Sequence, residues 1–236
     1  MDLPPQPPPD VPAPPPGPEA IRSRKIMRWI LLVGSLSILY LLAIRILPVA
    51  MARANAGHYK DQAVRNLRQI GLMIFLFDEE YGRFPDATTI TTVQAATGTT
   101  LALGNSSSND LFRQLLATVT ANEMIFWADL SGNGRYPNGV RGPDALVPGE
   151  CAFTYIAGLD SNDAGETPVV MAPVIRGTWK FDPKPFKGQA VVLFLDSSAT
   201  ALTIEENGDV ILNGMNLFDP RQPFWRGKAP DIKYPE

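Results

Sequence analysis

The chain has 236 residues, 45% of them hydrophobic, and a net charge of −3, which allows one sizeable core with length left for a tail and an anchor. The charge is unevenly divided: residues 22–68 carry nine Lys or Arg against Asp61 alone, whereas residues 69–236 carry twelve against twenty acids. A basic region around an apolar segment, joined to an acidic body without a basic stripe, points to a membrane surface as partner and excludes nucleic acid.

Residues 1–21 open with MDLPPQPPPDVPAPPPGPEA, which holds ten prolines. Proline fixes its own φ and lacks a backbone donor, so the stretch reads as a disordered, solvated tail, serving either as a spacer or as a docking peptide for an aromatic-lined groove. Residues 22–53 read as a basic flank and a transmembrane helix. Residues 29–44 are sixteen positions without a charge, and the apolar segment continues past Arg45 to Ala52, 24 positions in all. As a helix it would span roughly 36 Å, enough for a hydrocarbon core of about 30 Å. Arg45 lies near the far end, where its stem reaches the headgroups. Arg22, Arg24, Lys25 and Arg28 precede the segment, so the positive-inside rule keeps the tail in the cytoplasm and sends the body out. A cleaved secretory signal is the rival reading, with Ala50-Met51-Ala52 as its small-residue site, but the apolar part is long and starts late for one.

Beyond Arg53 the pattern becomes amphipathic. Ala63, Leu67, Ile70, Ile74, Phe77 and Tyr81 recur at intervals of three and four, with Val64, Gly71 and Met73 beside them, the mark of a helix with one buried face. One helix over about residues 27–81, kinked at Pro48, fits the pattern; two helices broken near Asn-Ala-Gly at residues 55–57 also fit. Residues 86–110 read as a mobile Thr/Ser/Asn/Gly-rich loop, and residues 111–120 as a short helix on Leu111, Leu115 and Val119. Six short β-branched or aromatic runs, at residues 124–130, 151–159, 168–175, 190–196, 199–205 and 209–214, predict a mostly β body. Ser197-Ser198 and Glu206-Asn207-Gly208 separate the last three and suit tight hairpins in a meander.

Chemistry-bearing residues are few. His58, just past the apolar segment, reads as an interfacial polar residue, and Cys151 as a small buried hydrophobe. One Cys and one His cannot supply a zinc site. Asp129, Ser131 and Asn133 occupy positions 1, 3 and 5 of a calcium-type loop with Gly134 at position 6, but Val140 stands where the bidentate glutamate belongs. Asp160, Asn162 and Asp163 form a similar acidic loop. No catalytic constellation, cofactor motif or small-molecule substrate is evident.

The segment PVAMARANAGHYKDQAVRNLRQIGLMIFLFDEEYGRFPD resembles the N-terminal region of bacterial type IV pilin-like proteins, including the pseudopilins of type II secretion systems. Asn66, Leu67, Arg68, Gln69, Ile70, Gly71 and Leu72 match the family's N-L-K/R-Q-I-G-L segment in order, and Tyr81, Gly82, Phe84 and Pro85 its Tyr-Gly-x-Phe-Pro. AVVLFLDSSATAL is similar to a strand that ends in Asp-Gly and returns as a hairpin in many of these proteins; Asp196 matches and Ser197 replaces the glycine. The resemblance implies an α+β fold in which a long N-terminal helix, membrane-embedded in its first half, packs on an antiparallel sheet, with residues 54–236 as an extracytoplasmic pilin-like domain. The family's processing motif, a glycine cleavage site and a glutamate near the start of the apolar run, has no counterpart, since no acid occurs between Glu19 and Asp61. A non-enzymatic, single-pass protein of the bacterial inner membrane follows as the expected function, accessory to a type II secretion or type IV pilus-like machine, with subunits of that machinery and the lipid bilayer as partners. The alternative is a membrane-tethered extracytoplasmic binding or sensory domain that reuses the fold.

Overall fold

The computed structural model describes Tyr40, Leu41, Ile44 and residues 57–119, 122–130, 135–139 and 142–236. The chain divides into two units, Met1–Ala52 and Arg53–Glu236. Tyr40, Leu41 and Ile44 of the first unit are helical and exposed. The expected tail, the rest of the expected anchor and the stretch that separates one helix from two lie outside the described residues. No helix among the described residues is long and apolar enough to cross a membrane.

In the second unit, α1 is helical over residues 57–81. Its apolar stripe is buried as the periodicity requires: Ala63, Leu67, Ile70, Met73, Ile74 and Phe77 all enter the core. Gly71 marks the closest approach to the sheet, because a Cβ there would lie 3.1 Å from Leu193 Cδ1. Gly82 ends the helix in the left-handed conformation (φ +74°), and its N–H donates to the Asp78 carbonyl at 2.7 Å, a glycine C-cap. Phe84 and Pro85 then turn inward, and the Tyr155 hydroxyl donates to the Pro85 carbonyl at 3.0 Å.

The expected loop over residues 86–110 contains a helix, α2 (Ile90–Thr97). Its sequence ITTVQAAT buries only Val93, so it carries no apolar stripe to betray it, and its threonines are indifferent helix formers. The preceding turn is fixed from α3 (Ser108–Thr118): the Thr89 hydroxyl donates to Gln114 Oε1 at 2.6 Å and Gln114 Nε2 donates to the Asp86 carbonyl at 3.0 Å. Ser107 caps α3 by accepting from the Asp110 N–H, and Leu111, Phe112 and Leu115 are its buried face.

The expected strand at residues 124–130 is instead a 3-10 turn, Glu123–Phe126, followed by irregular chain. Phe126 and Ala128 are both buried, so the alternation is real. Its burial comes from Phe126 stacking on Phe112, 4.7 Å between ring centroids, while a backbone bond to Ala152 stands in for a ladder.

Five strands form the main antiparallel sheet: β1 (Thr154–Ala157), β2 (Pro168–Ala172), β3 (Gln189–Phe194), β4 (Ala199–Thr203) and β7 (Asp231–Lys233), in the order β4-β3-β2-β1-β7. The β3–β4 hairpin turns at Ser197 (φ +67°), closed by the Phe194 N–H donating to the Ser198 carbonyl at 2.8 Å. The next expected strand leaves this meander. Only an isolated bridge, Ile204↔Val210, continues it across the Asn207-Gly208 turn, and β5 (Ile211–Leu212) pairs with β6 (Met215–Asn216) in a separate two-stranded ribbon.

The central strands β1, β2 and β3 are covered on both faces, which is why they read as continuous apolar runs. Tyr155, Val170, Val191, Leu193 and Ala199 face the core shared with α1. Ile156, Met171, Ala190, Val192 and Phe194 pack against Phe181, Leu217, Phe218, Phe224 and Trp225. This second layer is irregular chain tied by side chains. Trp225 Nε1 donates to the Leu217 carbonyl at 2.8 Å, and buried Gln222 donates to the carbonyls of Leu212, Met215 and Asn216.

Candidate functional site

The first loop singled out for metal chemistry falls largely outside the described residues. Asp129 is described, whereas Ser131 and Asn133 lie outside the described residues. The second acidic loop uses its own side chains: Asp160 Oδ1 accepts from the Asn162 N–H at 2.8 Å, Asp163 Oδ2 from the Asp160 N–H at 3.2 Å, and Asp163 Oδ1 lies 3.6 Å from Arg226. Among the described residues, no three His, Cys, Asp or Glu side chains gather to hold a metal ion.

Cys151 is buried. Burial pushes its thiol up to about 11, against smaller lowering effects from the Phe153 carbonyl, Ser108 and Arg113. A thiol so seldom ionised is a packing group, not a nucleophile. His58 is exposed on α1 and meets the Tyr59 ring edge-on at 6.0 Å.

Two ionic clusters had no sequence signal. Arg113 is nearly buried and spends its guanidinium on the Ala145, Leu146 and Ala102 carbonyls and on Asp110 Oδ1 at 2.8 Å. Glu123 and Glu150 are buried together: Glu123 accepts from the N–H groups of Gly139 at 2.5 Å and Leu146 at 3.1 Å, and Glu150 from that of Val147 at 3.2 Å. Burial first and the Glu123 charge second hold the Glu150 carboxyl above its usual range, opposed by the Val147 N–H and by Arg135, whose Nε lies 3.3 Å away. These acids hold the backbone of Gly139, Leu146 and Val147 around the Glu123–Phe126 turn, a structural role.

The open feature with a consistent chemistry is a groove of about 440 Å³ between α1 and β4, lined by Lys60, Asp61, Val64, Arg65, Arg68, Ala199, Thr200 and Ala201. Lys60 Nζ donates to Gln189 Oε1 at 2.9 Å. Arg65 and Arg68 are exposed and have neither ion pair nor hydrogen bond among the described residues. β4 forms the other wall and is an edge strand of the main sheet. The Ile204 N–H donates to Gly188 and the Phe194 N–H to Ser198, so the even-numbered residues of this strand point their backbone groups at β3. The N–H and C=O groups of Ala199, Ala201 and Thr203 therefore face the open side. The sequence shows Arg65 and Arg68 only as the basic end of a helix, because their partner wall lies more than a hundred positions away. Comparison with protein-family models, with curated proteins and with solved structures finds no match for this chain.

Proposed function

We propose that this chain is a non-enzymatic, membrane-anchored pilin-like protein, accessory to a type II secretion or type IV pilus-like machine. One observation carries the reading: the inward-facing residues of the motif-bearing stretch of α1, Asn66, Leu67, Ile70 and Gly71, do structural work, while Arg68, Gln69 and Leu72 are exposed. Leu67 and Ile70 fill the core, Gly71 permits contact with Leu193, Asn66 Nδ2 donates to the Trp127 carbonyl at 2.8 Å, and Gly82, Phe84 and Pro85 stop the helix against Tyr155. The same residues carry the resemblance in sequence. The apolar segment before α1 supplies the anchor, with the tail in the cytoplasm and the body in the periplasm. Lacking an acid between Glu19 and Asp61, that anchor stays uncut and outside the filament, since the expected carboxylate partner for a neighbouring amino terminus is missing.

Mass spectrometry of the protein purified from membranes tests this. A peptide spanning Pro18 to Arg28 and still joined to the apolar segment is expected. A chain that starts near Met27 or Arg28 with a methylated amine would overturn the permanent anchor. A second reading, a tethered extracytoplasmic binding domain, draws support from Arg65 and Arg68 beside β4, which have no partner among the described residues. Chemical crosslinking in whole cells separates the two: adducts to secretion-machine subunits favour the accessory role, and adducts to other periplasmic proteins alone favour the binding domain.

A further inference from the structure

We infer that the groove between α1 and β4 binds an extended acidic segment of a partner protein, which adds to β4 as a sixth strand and presents alternate carboxylates to Arg65 and Arg68. The two edges of the sheet differ in a way that motivates this. β7 is guarded by Asp231 and Lys233, paired at 3.1 Å, and flanked by Pro230 and Pro235, the usual means of discouraging strand addition. β4, with the sequence ATALT, has no charge and no proline. Its outward backbone groups are a template for one more antiparallel or parallel strand.

The geometry of α1 fits such a guest. Lys60 bonds to Gln189 at the start of β3, and Gly71 touches Leu193 near its end, so α1 runs along β3 in the same direction. Since Gln189 pairs with Thr203 and Leu193 with Ala199, the helical stretch between them covers the whole of β4. A strand added about 4.8 Å beyond β4 directs every second side chain to the α1 face, at intervals of about 7 Å. Arg65 and Arg68 stand three positions apart on α1 and so about 4.5 Å apart along its axis, and their long side chains splay far enough to meet carboxylates about 7 Å apart at alternate guest positions. Ala199 and Ala201 are small and share that face, which leaves room for the guest's side chains, and Val64 gives their stems an apolar contact.

Charge selects the guest. Lys60, Arg65 and Arg68 oppose Asp61 alone in the groove, so acidic side chains gain charge-assisted hydrogen bonds there and basic ones are repelled. Anionic lipid headgroups satisfy the cations but leave the backbone of β4 unused, and the pairing of both features in one groove favours a peptide.

The full chain in detergent micelles, titrated with a fluorescein-labelled heptapeptide alternating Glu and Val, tests the inference by anisotropy. Saturable binding is expected, weakened about tenfold by Arg65→Glu with Arg68→Glu, a loss typical of two charged hydrogen bonds. Both arginines are exposed, so that variant keeps its fold. Methylating alternate backbone nitrogens of the peptide removes the strand pairing without touching the protein, and is expected to cost a comparable factor. Ala201→Pro, which removes an outward donor from an edge strand, gives the same answer from the other side. A peptide alternating Lys and Val is expected not to bind. Absence of binding by the acidic peptide would overturn the inference. So would equal binding of the methylated and unmethylated peptides together with displacement of both by phosphatidylglycerol vesicles, which would assign the cations to a membrane surface.

Discussion

The two edges of one sheet are finished in opposite ways. Directly after β7 the chain is tied down by neighbours: the Tyr234 hydroxyl donates to the Thr178 carbonyl at 2.8 Å, the Tyr234 carbonyl accepts from the Ser108 N–H at 3.1 Å, and the Glu236 carbonyl accepts from the Gly149 N–H at 2.7 Å. At β4 the backbone of Ala199, Ala201 and Thr203 faces a groove open among the described residues, with Arg65 and Arg68, unpaired among those residues, above it. Leu202 of β4 and Ile232 of β7 pack against the same buried cluster, so that layer does not set the difference. What differs is the neighbouring chain, which suggests that the closed edge serves stability and the open edge serves contact.

Perturbing the two sides separately sharpens that contrast. The largest expected effect is at the layer beneath β7: Trp225→Ala empties a buried ring pocket and should cost about 3–5 kcal/mol of stability in urea denaturation, with Trp225 and Ile232 sharing that layer. On the β4 side, Gly71→Leu forces a branched side chain into the space taken by Leu193, at an expected cost of about 1–3 kcal/mol. Because Leu193 pairs with Ala199, this variant should also weaken acidic-peptide binding, which Trp225→Ala at a stability-permissive temperature should not.

Glu150 gives a pH-dependent effect away from both edges. Its folded-state pKa is raised, so its contribution to stability is fully present below the unfolded carboxyl value and is lost as pH rises through the folded one. Glu150→Gln does not titrate, so its stability relative to the native chain should improve between pH 4 and pH 8, by urea midpoints at the two values. A relative loss over that interval would contradict the burial argument. The smallest effect is at the β3–β4 turn. Ser197 holds φ at +67°, a conformation glycine adopts freely, and Ser197→Gly should leave the melting temperature unchanged or raise stability by up to about 1 kcal/mol.

How much of this was legible in the sequence depended on where the determining neighbours lay. α1 was legible because period and stop signal are local: the stripe from Ala63 to Phe77 and the cap at Gly82 are both within one segment. The apolar runs of β1 to β4 were legible as strands for the same reason, and an α+β arrangement with a helix over an antiparallel sheet followed. α2 was hidden because Val93 is its one buried side chain, and the turn at Glu123–Phe126 because Phe126 and Ala128 alternate like a strand without pairing as one. β7 was missed since three residues, Asp-Ile-Lys between prolines, resemble a loop until β1 lies beside them. Neither the Glu123–Glu150 pair nor the groove has a local signature: each joins residues that only folding brings together.

The most direct measurement is amide hydrogen exchange across both edges, with and without the acidic heptapeptide. Slowed exchange at Ala199, Ala201 and Thr203, with Asp231, Ile232 and Lys233 unchanged, is the predicted result. Equal slowing at both edges, or none at β4 under saturating peptide, would contradict an open edge built for a partner strand.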